Sequence, residues 1–291
     1  MISAEDLAEL EALVGDALDR QDTSALRVLG YGEISMALGW PVDEPTVVCK
    51  RTPPFSPAQF THYAELVQSY MDGLAASGLR IAPTEIRPLE RGNRVVAYLV
   101  QPLLDPATLG HQVLAASIPD PEHPFLEALA ATLTLATPEL SFDAQVTNFA
   151  WDGADLTLVD IGTPFVWSAE GALQFDMGPF VRPLPAVVRP LVVREMTGML
   201  NRWREPRSVA LDVAANLYRE GLDGWVEPTL AAFNRELAFE QPLAVEEADA
   251  LYREDVRIWP VLKRLQAAER WWLTTIRRRP YDFFIHSTFS D

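Results

Sequence analysis

DAQVTNFAWDGADLTLVDIG, residues 143–162, is the stretch on which the reading of this chain turns. Apolar residues recur along Asn148-Phe149-Ala150-Trp151 and again along Leu156-Thr157-Leu158-Val159. That is the pattern of short strands packed on one face. Asp152-Gly153 between them is a turn pair, so the stretch is predicted to form a β-hairpin. A hairpin brings its open ends together. Asn148, leading into the first strand, and Asp160, ending the second, should therefore meet although twelve residues separate them. Asp143 sits on the loop just ahead and is predicted to lie beside them. Two carboxylates and a carboxamide are hard oxygen donors of the kind Mg²⁺ takes, above all when phosphate oxygens complete its shell. Gly162 is expected to permit a sharp turn after Asp160. The spacing alone does not decide the matter, since Asp and Asn are ordinary turn residues.

Upstream, strands dominate. Leu26-Arg27-Val28-Leu29, the run from Ile34 to Trp40, Thr46-Val47-Val48-Cys49-Lys50 and Arg94 to Val100 all carry strand patterning. Gly30-x-Gly32-x-x-Ser35 lies between the first two, where a glycine turn lets backbone approach phosphates closely. Lys50 ends the third. The chain has 24 basic residues, and only Lys50 and Lys263 among them are lysines. A lysine under that bias marks a place where a compact ammonium fits and a planar guanidinium does not. Residues 57–77 read as a helix, with Phe60, Tyr63, Leu66, Val67, Tyr70 and Leu74 at helical spacing and Gly78 just past its end. Glu65 on that helix is placed to pair with Lys50. Residues 4–19 form an amphipathic helix expected to pack on the strand-rich part.

Downstream of Pro102 the pattern is helical, over 123–136, 185–203, 207–220, 226–238, 245–256 and 259–278. The hairpin is the one exception. The chain thus divides into an N-terminal helix (1–24), a small β-rich lobe with one helix (25–101) and a larger helical lobe carrying the hairpin (102–291), with a hinge near 101–105. The fold class is α+β.

Composition narrows the function. The 291 residues are 48% hydrophobic, enough for a substantial core. The single cysteine, Cys49, fits a reducing compartment. No apolar run spans a bilayer and the start does not resemble a signal peptide, so a soluble cytoplasmic protein is expected. A formal net charge of -17 repels nucleic acid and anionic membrane at long range, and neither is expected as a partner. The same acidity favours a cationic second substrate, for which Asp176 and Glu195 are candidate receivers. His62, His111, His123 and His286 lack zinc-ligand spacing. Trp271-Trp272 and Tyr281, Phe283 and Phe284 are expected to pack the last helix, with Arg277-Arg278-Arg279 capping its C-terminus.

Taken together, the chain resembles the protein-kinase-like superfamily, in the terse form of its aminoglycoside phosphotransferase and choline kinase branch. The matching pieces are G-Y-G-E-I-S at 30–35, V-V-C-K at 47–50, Glu65, V-Q-P-L-L at 100–104, D-A-Q-V-T-N at 143–148 and D-I-G at 160–162. They keep the family order over about residues 25–165, and the rest matches only in being helical. The resemblance implies a bilobal protein-kinase-like fold and ATP with Mg²⁺ as cofactors. Gly30, Gly32 and Ser35 would cover the phosphates, and Lys50, held by Glu65, would neutralise them. Backbone near Gln101 and Leu103 would meet the adenine edge. Asp143 would orient the acceptor hydroxyl, with Gln145 where a cation often stands, and Asn148 and Asp160 would hold the metal.

The departures are Ser141-Phe142 ahead of Asp143, where such kinases usually carry a histidine, and uncharged Gln145. No A-P-E-like segment follows D-I-G, which argues against a protein kinase with an activation loop. The expectation is therefore phosphoryl transfer from ATP to a small-molecule hydroxyl, amine or guanidine. The alternatives are a catalytically inactive kinase-like module that binds nucleotide or a partner, and nucleotidyl transfer at the same site.

Overall fold

A computed structural model describes residues 2–31 and 36–285 as a mixed α+β structure. Five strands, β1 (Val28–Tyr31), β2 (Met36–Trp40), β3 (Val47–Arg51), β5 (Glu85–Arg91) and β6 (Arg94–Pro102), form an antiparallel sheet in the order β1-β2-β3-β6-β5. The short β4 (Arg80–Ile81) instead joins β7 (Phe149–Trp151) and β8 (Leu156–Leu158) in a second sheet ordered β4-β8-β7. The strand-rich part and the hairpin thus share backbone pairing, since β4 runs parallel to β8.

Side-chain alternation gives the main sheet two different faces. Met36, Leu38 and Trp40 of β2, Val47 and Cys49 of β3, and Val96, Tyr98 and Val100 of β6 are buried under α1 (Ala4–Arg20). Leu7, Leu10, Val14 and Leu18 supply the helix side of that contact. The opposite face carries Lys50 and Leu99, which are register partners, and looks toward α2 (Pro57–Ala76) and the hairpin. Both helices begin in a capping box, Ser3 with Asp6 and Ser56 with Gln59, which satisfies amide groups that a helix start leaves unpaired.

One charged cluster crosses the α1 interface. Arg51, on the α1 face of β3, donates to both Glu11 carboxylate oxygens at 2.8 and 3.0 Å. Tyr98 and Arg91 donate to the same carboxylate at 2.6 and 2.9 Å. Burial works against a charged Glu11, but Arg51 and the Tyr98 hydroxyl outweigh it and hold the carboxyl below its usual range. Residues 281–285 return to this region. Asp282 pairs with Arg94 at 3.3 Å, and Gln21 donates to the Phe283 carbonyl at 3.0 Å.

The remaining helices are α3 (Gly110–Ala115), α4 (Pro124–Leu133), α5 (Arg189–Arg202), α6 (Pro206–Arg219), α7 (Val226–Leu237) and α8 (Val245–Trp271). They surround a core that includes Phe125, Leu129, Phe149, Val213, Trp225 and Phe233, continuous with the buried face of α2. Three expectations are corrected. The helices read as 245–256 and 259–278 are one, running through Pro260 and ending in a π turn at Trp272–Ile276. Pro260 and Val256, whose carbonyl loses its partner, both lie on the exposed side, where water can satisfy it. The hairpin turn is four residues long, 152–155, with the Asp152 carboxylate accepting from the Ala154 and Asp155 amides at 3.0 and 2.8 Å. Trp271 and Trp272 are exposed, whereas Tyr281 and Phe283 are buried as expected.

Candidate functional site

β8 ends at Leu158, and the chain then delivers Asp160 to the Lys50 face of the main sheet. Lys50 Nζ lies 2.5 Å from Asp160 Oδ2, and each side chain is a little over a quarter exposed, at 27% and 29%. The other carboxylate oxygen accepts from the Gly162 amide at 3.1 Å. Burial pushes the Asp160 carboxyl upward. The Lys50 charge and hydrogen bond, then the Gly162 amide, outweigh that push and leave it below the ordinary carboxylate range. The chain bends at Gly162 as expected, although Gly162 is not among the glycines with positive φ. It supplies room. A Cβ there would stand 3.2 Å from Leu99 Cδ1 and 3.7 Å from Lys50 Cε, so its lack of a side chain lets this segment close onto the sheet.

Asn148 is tied to the same place by backbone. Its carbonyl accepts from the Val159 amide at 2.8 Å, directly before Asp160. Its side-chain nitrogen donates to the Asp143 carbonyl at 3.4 Å, which leaves Oδ1 as the atom it would offer a cation. Asp143 Oδ1 accepts from the Gln145 amide at 3.2 Å, an Asx turn that shapes the loop. Both carboxylates are felt by one phenol: burial first, then Asp160 and Asp143, push the Tyr70 hydroxyl well above its usual value. The loop and strand end read from sequence therefore do converge. Among the described residues no three His, Cys, Asp or Glu side chains gather as a metal cluster; the oxygens that could face a cation here are those of the Asp160 carboxylate and the Asn148 carboxamide.

Several roles were invisible to the sequence reading. Tyr63 donates to the Gly162 carbonyl at 2.8 Å and Tyr70 to the Ser141 carbonyl at 3.0 Å. Two hydroxyls seven residues apart on α2 thus hold both ends of the site loop, although their spacing reads only as a core stripe. The Gln101 side chain donates to the Val159 carbonyl at 2.8 Å and to Thr84 Oγ1 at 2.9 Å, linking the main sheet to the hairpin. Gly110 carries α3 against the loop: a Cβ there would lie 2.4 Å from the Val146 carbonyl oxygen. A glycine opening a six-residue helix gives no sequence signal of that contact.

Other expectations change. Glu65 is exposed on α2, and among the described residues no ion pair joins it to Lys50; Asp160 takes that place. Helical phase is the reason, because α2 turns Tyr63, Val67 and Tyr70 inward and Glu65 away. Leu103 does not offer a spare amide, since its N–H donates to the Thr46 carbonyl at 3.0 Å as strand pairing runs one residue past Pro102. Gln101 pairs with Val48 inside the sheet. Gly30 sits in β1 opposite Ala37, which sits opposite Lys50. Among the described residues a Cβ on Gly30 would meet nothing within 4 Å, so Gly30 and Ala37 add little side-chain bulk to the sheet beside Lys50. Gly32 and Ser35 lie outside the described residues. Ser141 and Phe142 are buried, the latter edge-on to Phe149 at 6.2 Å. Asp176 accepts from Gln59 at 3.0 Å and Glu195 pairs with its neighbour Arg194 at 2.8 Å, both exposed.

With this geometry established, comparison with known proteins adds one finding. The chain belongs to DUF6206, a family of unknown function whose model matches residues 9–270, a span that contains every residue of the site. No curated protein matches it.

Proposed function

We propose that this DUF6206 member binds ATP with Mg²⁺ where the Lys50 face of the sheet meets the hairpin, and transfers a phosphoryl group to a small-molecule hydroxyl, amine or guanidine. The observation that carries the reading is the Lys50–Asp160 pair, in which a lysine of the sheet meets the carboxylate at a hairpin end beside Asn148 and Asp143. On this reading the sheet with α2 and the helical remainder are the two lobes of a protein-kinase-like fold.

Lys50 would leave Asp160 in part to contact phosphate oxygens, a point charge suited to that task. The bare floor at Gly30 and Ala37 would accept the flat base or the phosphate backbone. Asp160 and the Asn148 Oδ1 would hold Mg²⁺, which neutralises charge on the phosphates when bound. Asp143, its carboxylate fixed by the Gln145 amide, would accept or orient the acceptor proton, while Gln145 offers a hydrogen bond without charge. Catalysis would rest on positioning and charge stabilisation rather than covalent chemistry.

The test is a melting-temperature series with ATP and Mg²⁺, followed by ATP consumption across a panel of small alcohols, amines and guanidines. Nucleotide should raise the melting temperature, and Asp143→Ala should abolish turnover while changing nucleotide affinity less than about threefold. No stabilisation by nucleotide would sink the proposal. A second reading, nucleotide or partner binding without transfer, is favoured by the buried Ser141-Phe142 and the uncharged Gln145. It predicts stabilisation by ATP with no consumption on any acceptor.

A further inference from the structure

The chain's acidity is unevenly spread. Residues 256–279 contain seven basic residues and one acid, Glu269, in a protein of net charge -17. Glu269 is buried and paired with Arg189 at 3.2 Å. Within the segment Val261, Arg264, Ala268, Trp271 and Thr275 follow at three- and four-residue spacing, and all five are exposed. They form one outward stripe. Its end is strongly apolar: Trp271 is 58% exposed, Trp272 46% and Ile276 49%. Arg277, Arg278 and Arg279 follow at once, also exposed. The helix is anchored elsewhere. Its first half packs on α6 through Tyr252 stacked on Tyr218 at 5.2 Å and Glu247 paired with Arg207 at 2.8 Å. Among the described residues only Ala248 of α8 enters the buried core.

We infer that the C-terminal end of α8 is a docking site for an anionic lipid surface. Three features select that occupant. Two adjacent exposed indoles match the headgroup boundary, where an amphipathic ring keeps its apolar body in lipid and its N–H in water. The apolar tip and the arginine triplet are successive along the axis, so the indoles can enter the boundary while guanidinium groups meet lipid phosphates. The exposed side chains lie on a helix surface and line neither of the described pockets, which suits a broad flat partner. No helix among the described residues is long and apolar enough to cross a membrane, so the contact would lie on the bilayer and not through it. The expected repulsion by the net charge does not oppose this. Screening limits exposed charges to about 8 Å at physiological salt, and the bilayer would sense the local arginines.

Vesicle flotation of the full chain tests the inference, using phosphatidylcholine alone or mixed with phosphatidylglycerol. Binding should appear on the mixed vesicles, fall at least roughly tenfold on neutral ones, and shift tryptophan emission to the blue. Trp271→Ala/Trp272→Ala and Arg277→Ser/Arg278→Ser/Arg279→Ser should each weaken binding about tenfold with an unchanged melting temperature, since these side chains are exposed. Wild-type protein that fails to float, or variants that float equally well, would overturn it. So would concentration-dependent self-association that the tryptophan variant abolishes while vesicles remain unbound, which would assign the patch to a second copy.

Discussion

Lys50 holds Asp160 and, on the proposed function, would also meet phosphate, and the consequences of removing it can be separated. Lys50→Met keeps the stem and deletes the charge. Asp160 then keeps its burial and loses its main compensation, so its carboxyl should rise. Because the pair is about a quarter exposed, the cost at neutral pH should fall between that of a surface pair and a buried one, about 1–2 kcal/mol. The pH dependence identifies the partner. In the native protein the folded pKa of Asp160 is lowered from the ordinary value of about 4. Its contribution to stability is therefore complete above that value and lost as pH falls through the lower folded one. The Lys50→Met protein lacks most of this contribution. Melting temperatures of the two proteins should differ most at neutral pH and converge below about pH 4. Curves that stay parallel into acid would show that Lys50 does not stabilise through Asp160. On the proposed function, nucleotide affinity should fall by ten- to a hundredfold, roughly the value of one hydrogen bond to a charged group.

At the scale of elements, the site depends on how closely α3 can approach the loop between Asp143 and Asn148. Gly110→Ala would place a methyl 2.4 Å from the Val146 carbonyl oxygen and 2.5 Å from Phe125 Cζ. Backbone and a fully buried ring cannot both yield, so the variant should lose about 1–3 kcal/mol, read by denaturant unfolding. Val146 lies inside the loop, so any ATP turnover should fall further than the lost folded fraction explains; an unchanged rate would uncouple α3 from the site. Gly110 also marks the limit of sequence reading. α1 and α2 were legible because one face of each is buried at helical period, and the hairpin because two short apolar runs flank turn residues. β5 was not, because as an edge strand it is largely uncovered and its E-I-R-P-L-E-R carries charge and a proline that only an edge tolerates. The convergence of Asp143, Asn148 and Asp160 followed from hairpin geometry. The Lys50–Asp160 pair and the Gly30–Ala37–Lys50 row did not, because strand register and helical phase come from tertiary packing. Glu65 failed for that same reason.

For the whole molecule, the last described residues join parts that are distant in sequence. Tyr281 donates to the Pro183 carbonyl at 3.1 Å, ahead of α5. Asp282 pairs with Arg94 of β6, and its carbonyl accepts from Arg51 at 3.4 Å, beside the buried Glu11 cluster. Phe283 and Ile285 bond the Gln21 side chain at the end of α1 at 3.0 and 3.1 Å. One short segment thus fastens α1, the main sheet and the helical part together. Tyr281 and Phe283 are its apolar anchors, 3% and 8% exposed. Replacing both with alanine should cost about 3–5 kcal/mol, below the sum of two buried aromatic truncations because the two rings are in contact at 5.8 Å. For a chain of this length that corresponds to a melting temperature lower by roughly 6–10 °C. Cys49 reports where the loss is felt. It is fully buried under α1, and burial pushes its thiol up to about 12, so a thiol reagent reaches it only when α1 lifts from the sheet. If the segment fastens α1 to the sheet, the double variant should label at Cys49 much faster than the wild type under native conditions. Slow labelling with a lowered melting temperature would instead place its contribution on the Pro183 side alone, leaving α1 held by Glu11 and Arg51.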